Sequence, residues 1–334
     1  MDPIRSRAGR RFVHFVLLSF TVYSLVPFVW TGMQSLKTVK DAFSRTPLLL
    51  FEPTMQNYQD VWIRRVPENA EAIGLGVLLV VALLVGLLLS ARSLPIDNRL
   101  VYGFCLAGFG LLLWALPQLV YMQKFYDYFI NTLIVTALTI IISISIGCLA
   151  GYSLARYAGL AAVVILIAAL AFRALPRLAF VLPYYWIGSL LNLLDSSLLV
   201  VIALVAVNQP FTIWMLRSFF MEIPKDLEES AMVDGANRLQ SFLRVIVPVA
   251  WPGIISTALF TLLLAYNEFL LVRVLTQSNW TLPVAISRYT GNESADEITL
   301  AAAASVSATL PIVVVILYFQ KHLVKGLSAG AVKG

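Results

Sequence analysis

Charge is scarce in this sequence: Lys, Arg, Asp and Glu make up 13% of its 334 residues, against roughly 25% in a soluble domain. That leaves too little polar surface to cover a water-facing globule, so much of the chain must face lipid or other apolar helices. Cysteine is nearly absent. Cys105 and Cys148 each lie inside an apolar run and read as small packing residues, which excludes a disulfide framework or a thiolate metal site. The two histidines, His14 and His322, sit near opposite chain ends without ligand-like company. No nucleophile–base constellation is visible, and no G-x-x-x-x-G-K-[ST] phosphate loop occurs, so the chain should not hydrolyse nucleotide itself. Heptads, low-complexity tracts and repeat periods are also missing.

What is abundant is apolar length. Hydrophobic residues reach 60% and the mean hydropathy is +0.85. Several runs attain the roughly 18–20 residues that cross a bilayer as helix. The pattern predicts an all-α integral membrane protein with eight spans, near 12–33, 72–90, 100–120, 129–151, 160–181, 197–214, 252–272 and 300–319. Four arginines (Arg5, Arg7, Arg10, Arg11) precede the first run, which is long and lacks a small-x-small cleavage site. It reads as an uncleaved first membrane helix. Most basic residues outside the long 34–71 loop fall in segments that an N-inside arrangement leaves in the cytoplasm, and an even number of spans returns the C-terminus there. The 72–90 and 100–120 pair is joined by Ala91–Arg99, where Pro95 and Asp97 favour a turn. Length and apolarity favour two full spans over a re-entrant hairpin. Leu182–Ser196 is too short and mixed to span and reads as a loop or a short interfacial helix.

The most polar stretch of the second half runs from Arg217 to about Ala250. Pro224 suits a first helical turn, and Asp226, Glu228 and Glu229 favour the positive N-terminal end of the helix that follows. Asp234-Gly235 supplies a break. A second helix from about Ala236 would set Leu239, Phe242, Leu243 and Ile246 on one side and Arg238 and Arg244 on another, with Pro248 and Pro252 ending it. Two short amphipathic helices between membrane spans make either a solvated loop or a docking knob.

The spacing decides in favour of the knob. Glu229-Ser230-Ala231, three residues, Gly235, nine residues, Val245-x-Val247-Pro248 resembles the EAA motif of bacterial ABC importer permeases, whose pattern is Glu-Ala-Ala, three residues, Gly, nine residues, Ile-x-Leu-Pro. The departures, Ser230 and two valines, are small or apolar exchanges. Other stretches resemble the carbohydrate branch of that family, which includes the maltose transporters. They are SLKTVKDAF and FEPTMQNYQDVW within 35–62, the span 129–156, FRALPRLAFVLPYYW (172–186), AYNEFLL (265–271) and the tail VKGLSAGAVKG (324–334).

The resemblance implies an ABC importer type I permease fold with an extra helix pair in its N-terminal half. It divides the chain into 1–65 (N-terminus, first helix, outer loop), 66–123 (the inserted pair) and 124–334 (core permease, coupling loop at 217–250). It implies a permease subunit of a binding-protein-dependent importer of a sugar or polyol in the bacterial inner membrane, with both termini cytoplasmic. The implied partners are a second homologous permease, two ATP-binding subunits, an extracytoplasmic solute-binding protein and the lipid bilayer, with no nucleic acid. This chain would bind no cofactor or metal, and ATP and Mg²⁺ would be used by the ATPase subunits. Coupling to them would fall to Glu229, Ser230, Ala231, Asp234, Gly235, Val245 and Pro248.

Ionisable groups at membrane depth are functional candidates in their own right. Arg173 and Arg177 are the deepest, on either side of Pro176, with Asn267 and Glu268 late in the seventh span. An Arg–Glu pair bracing a broken helix and contact with substrate are both open, and Tyr184 joins Arg173, Asn267 and Glu268 as a candidate for the substrate pathway. Tyr184, Tyr185, Trp186 and Trp214 suit either sugar stacking or a membrane-interface belt. A gradient-driven secondary transporter is the alternative, and it would need inverted repeats and a mid-membrane carboxylate, a description that only Glu268 approaches.

Overall fold

A computed structural model describes residues 7–44, 49–90, 98–157, 159–173, 175–289 and 295–331. The chain forms two compact units, Met1–Asp127 with Tyr289–Val306, and Tyr128–Arg288 with Ser307–Gly334.

In the first unit, α1 (Arg7–Ser35) is 29 residues long, more than the ~20 needed to span. Its apolar side chains are exposed on every side, as lipid contact requires. The chain then folds into a small polar knot. α2 (Val39–Ala42) is capped by the Thr38 hydroxyl. On α3 (Gln56–Trp62), the Asn57 amide donates to the carbonyls of Ser35 and Lys37 at 2.9 and 2.8 Å. Lys37 is 1% exposed, its ammonium 5.1 Å from the Trp30 ring and 5.3 Å from that of Phe51. β1 (Ile63–Arg65) leads into a hairpin of two long helices, α4 (Ala70–Ser90) and α5 (Asn98–Leu119). Each is long enough to cross a bilayer. They pack through Leu84, Val101 and Cys105, and Gly108 makes room for Leu84. The Pro95–Asp97 turn lies outside the described residues. β2 (Tyr121–Met122) returns to pair antiparallel with β1.

The second unit is built on α6 (Lys124–Arg156) and α9 (Ser197–Glu222). Gly147 and Gly151, one turn apart on α6, let the two backbones meet: a Cβ at Gly151 would lie 3.0 Å from the Arg217 backbone nitrogen. Between them, α7 (Leu160–Arg173) and α8 (Arg177–Leu190) join at 90°. The fifth span expected over 160–181 is thus a bent pair of helices. Pro176 precedes α8 with extended ψ, and its missing N–H and ring end the helical ladder there. α8 in turn takes up most of the Leu182–Ser196 stretch.

After α9 come α10 (Asp226–Val233), α11 (Arg238–Ser241), a π-helical turn at Phe242–Ile246 and α12 (Val247–Tyr266). The expectation that Pro248 and Pro252 end the α11 helix is also corrected. Helix continues from Arg238 to Tyr266, and the widened π turn directly before Pro248 absorbs its ring and missing donor. The seventh span over 252–272 breaks at Asn267–Phe269 and resumes as α13 (Leu270–Leu275), followed by α14 (Leu282–Tyr289) and the long α15 (Ala295–Ala331). Two apolar clusters hold this unit. Leu199, Val200, Leu204, Leu271 and Val272 join α9 to α13, and Leu216, Phe220, Phe242 and Ile246 join α9 to the π turn. Among the described residues seven continuous helices are long and apolar enough to span, and the bent α7–α8 pair makes an eighth.

Candidate functional site

The 217–250 segment folds as a knob. α10 starts with Asp226, Glu228 and Glu229 in its first turn, where the helix dipole favours acids. It closes on a Schellman motif: the Gly235 N–H donates to Met232 O at 3.1 Å and the Ala236 N–H to Ala231 O at 3.0 Å. That motif requires a left-handed residue, and Gly235 has φ +89°. Asn237 and Gln240 then form a reciprocal capping box that starts α11.

The apolar residues here divide into two sets. Phe242 and Ile246 are buried under the knob, while Leu239 and Leu243 are 60% and 53% exposed, so the expected single apolar side is corrected to a buried and an exposed pair. With Leu227, Met232 and Val233, the exposed pair leaves an apolar surface on an otherwise charged knob. An exposed apolar patch of this kind suits a partner interface. Glu229, Ser230, Asp234 and Gly235 are exposed beside it; Ala231 and Val245 are half-buried, and Pro248 is exposed at the start of α12.

Beneath the knob, the last turns of α6 reach it through polar contacts. The Arg156 guanidinium pairs with the Glu228 carboxylate and donates to the Phe220 carbonyl at 3.0 Å. The Tyr152 hydroxyl donates to Glu228 at 2.8 Å, and the Arg217 guanidinium to the Leu154 carbonyl at 3.2 Å. α6, α9 and α10 are thus joined at one point, beside a cleft of about 470 Å³ walled by Tyr152, Lys225, Glu229, Arg238 and Ser241.

A second constellation lies at the two helix breaks. Glu268 is 3% exposed. One carboxylate oxygen accepts from the N–H groups of Leu270 and Leu271, capping α13, and the other pairs with Arg177 at the start of α8. The bracing partner is thus Arg177; the Arg173 side chain lies outside the described residues. Asn267 is exposed, its amide turned back onto Leu263 O at 2.9 Å, and Tyr184 packs against the apolar cluster of α9 and α13.

Past the far end of α13, Asp195 holds the loop that follows. In a left-handed conformation (φ 61°), it accepts from the N–H groups of Gln277, Ser278 and Asn279 at 2.8–2.9 Å and from the Ser278 hydroxyl. Partial burial pushes its carboxyl upward, but these four donors outweigh that and hold it at about 2. Tyr152, Arg156 and Asp195 escaped the sequence reading, which took Glu228 only as an acid of a helix's first turn. Arg156 and Glu228 are 72 positions apart, and nothing local signals the pairing.

The family described as "binding-protein-dependent transport system inner membrane component" matches residues 143–329, more than half the chain. The chain belongs to this family of permeases. The permease is 36% identical over 208 residues to a trehalose transport system permease protein of Mycobacterium tuberculosis, covering 61% of this chain and 76% of the relative. It is 34% identical over 209 residues to a trehalose/maltose transport system permease protein of Thermococcus litoralis, covering 62% and 75%. In fold it is similar to a chain of a bacterial ABC transporter involved in the import of the acidic polysaccharide alginate, with TM-score 0.65 and 20% identity over 95% of this chain and 98% of that one. It is a multi-pass transport subunit with the ABC importer permease fold.

Proposed function

We propose that this permease is the membrane subunit of an ATP-driven, binding-protein-dependent importer of a sugar or polyol. It pairs with a second permease, takes ATP-derived motion from two cytoplasmic ATPase subunits that use ATP and Mg²⁺, and receives solute from an extracytoplasmic binding protein. Both termini and the 217–250 knob are then cytoplasmic, in the bacterial inner membrane, and the chain carries no ATPase site of its own. The carbohydrate class rests on relatives whose names specify trehalose, maltose and diacetylchitobiose.

The observation that carries the coupling role is the exposed apolar surface of Leu239, Leu243 and Val233 beside Glu229, on a knob tied to α6 by the Arg156–Glu228 pair. An ATPase cleft closing on this surface would push α10, and the Arg156–Glu228 pair would pass the push to α6 and α9. Glu268 supports the same reading against a proton- or sodium-driven carrier, because both its oxygens are committed to α13 and Arg177. The test is co-purification of the tagged chain from detergent-solubilised membranes. An ATPase subunit should be recovered with the native chain and lost with Leu239→Glu/Leu243→Glu; recovery of the native chain alone would overturn the proposal.

A further inference from the structure

Two cavities adjoin at one end of the α4–α5 hairpin. The first, about 420 Å³, is walled by Arg65, Glu68, Asn69, Gln118 and Tyr121. The second, about 400 Å³, is apolar, walled by Gly74, Val77 and Val81 of α4 and by Leu116 and Met122. Val66, Pro67 and Ile73 line both, so the two are the polar and apolar halves of one cleft. The apolar half follows α4 from Ala70 to Val81, a rise of roughly 16 Å, about half the ~30 Å hydrocarbon core. That is the depth of one leaflet. Gly74 leaves its floor open, with nothing within 4 Å of where a Cβ would stand.

The polar half carries both signs of charge. Arg65 and Glu68 are exposed, and neither joins an ion pair among the described residues. Their placement is set by the β1–β2 ladder, which puts Arg65 opposite Tyr121, and by the Trp62–Phe125 edge contact at 5.0 Å below it. A cation and an anion three residues apart at a membrane interface, above an acyl-length groove, match a zwitterionic headgroup. Arg65 suits the phosphate, and Glu68 accepts from a primary ammonium, which a trimethylated headgroup cannot donate. A net-anionic headgroup would leave Glu68, which lines the same half as Arg65, without a cationic partner.

We propose that the α4–α5 hairpin carries a specific site for one phospholipid of the phosphatidylethanolamine type, headgroup between Arg65 and Glu68, one acyl chain in the groove over Gly74. The test is native mass spectrometry of the full chain, purified in mild detergent and offered an equimolar mixture of phosphatidylethanolamine, phosphatidylcholine and phosphatidylglycerol with identical acyl chains. One phosphatidylethanolamine per chain should be retained. Arg65→Glu and Gly74→Leu should each lower its occupancy at least about tenfold, Arg65→Lys should keep it, and the melting temperature in detergent should show each variant folded. Equal retention of the three lipids, a preference for phosphatidylglycerol, or unchanged retention in both Arg65→Glu and Gly74→Leu would overturn the site.

Discussion

At Gly235 the constraint is conformational and not steric: a Cβ there would meet nothing within 4 Å, but φ is +89°. An L side chain in the left-handed region costs about 1–2 kcal/mol, and proline, locked near φ −65°, cannot close the turn at all. Gly235→Ala should therefore weaken coupling, and Gly235→Pro should abolish transport while the chain still inserts; full transport in the proline variant would contradict the assignment. Asp195 makes a different prediction. Its folded-state pKa of about 2 lies below the ordinary 3.8, so its stabilisation is present above about pH 4 and is lost as pH falls toward 2. The melting-temperature gap between the native chain and Asp195→Asn should be flat above that pH and close below it. Glu268 is buried, so Arg177→Ala should strand its charge and destabilise more than the double change Arg177→Ala/Glu268→Gln. A thermal-shift cycle in detergent would show this as partial recovery in the double variant. Of these residues, Gly235 was legible through motif spacing and Glu268 through its depth. Asp195 was not, because its role depends on a left-handed backbone and on a loop 82–84 residues away.

Among the elements, long apolar runs were legible because a span must be both apolar and about 20 residues long. Their breaks were less so. Pro176 lies between α7 and α8, yet Pro248 and Pro252 sit inside a continuous helix, with a π turn just before Pro248. A proline tells that a ladder bond is missing, not whether a neighbouring turn will widen to absorb it. The knob's outline was legible from its acidic first turn and Asp-Gly break, whereas its attachment to α6 was not, since Arg156 and Glu228 meet only in the folded unit. That attachment makes an element-level prediction. Arg156→Ala should cut transport several-fold while leaving ATP hydrolysis by the bound ATPase in place, and Arg156→Glu/Glu228→Arg should restore part of it. Equal transport in native and Arg156→Ala proteins would show that motion reaches the membrane through α12 alone.

For the molecule as a whole, the family match covers 143–329, while the α4–α5 hairpin falls outside it. The core should therefore behave as an importer permease whatever the hairpin does. The central claim is that force from ATP enters through the 217–250 knob. The most direct measurement is uptake of labelled sugar into proteoliposomes that hold this permease with its co-purified permease and ATPase, with binding protein and ATP supplied on opposite sides. The account predicts uptake that needs both, and Gly235→Pro vesicles that still hydrolyse ATP but accumulate nothing. Uptake that proceeds without ATP, or that survives Gly235→Pro, would contradict it.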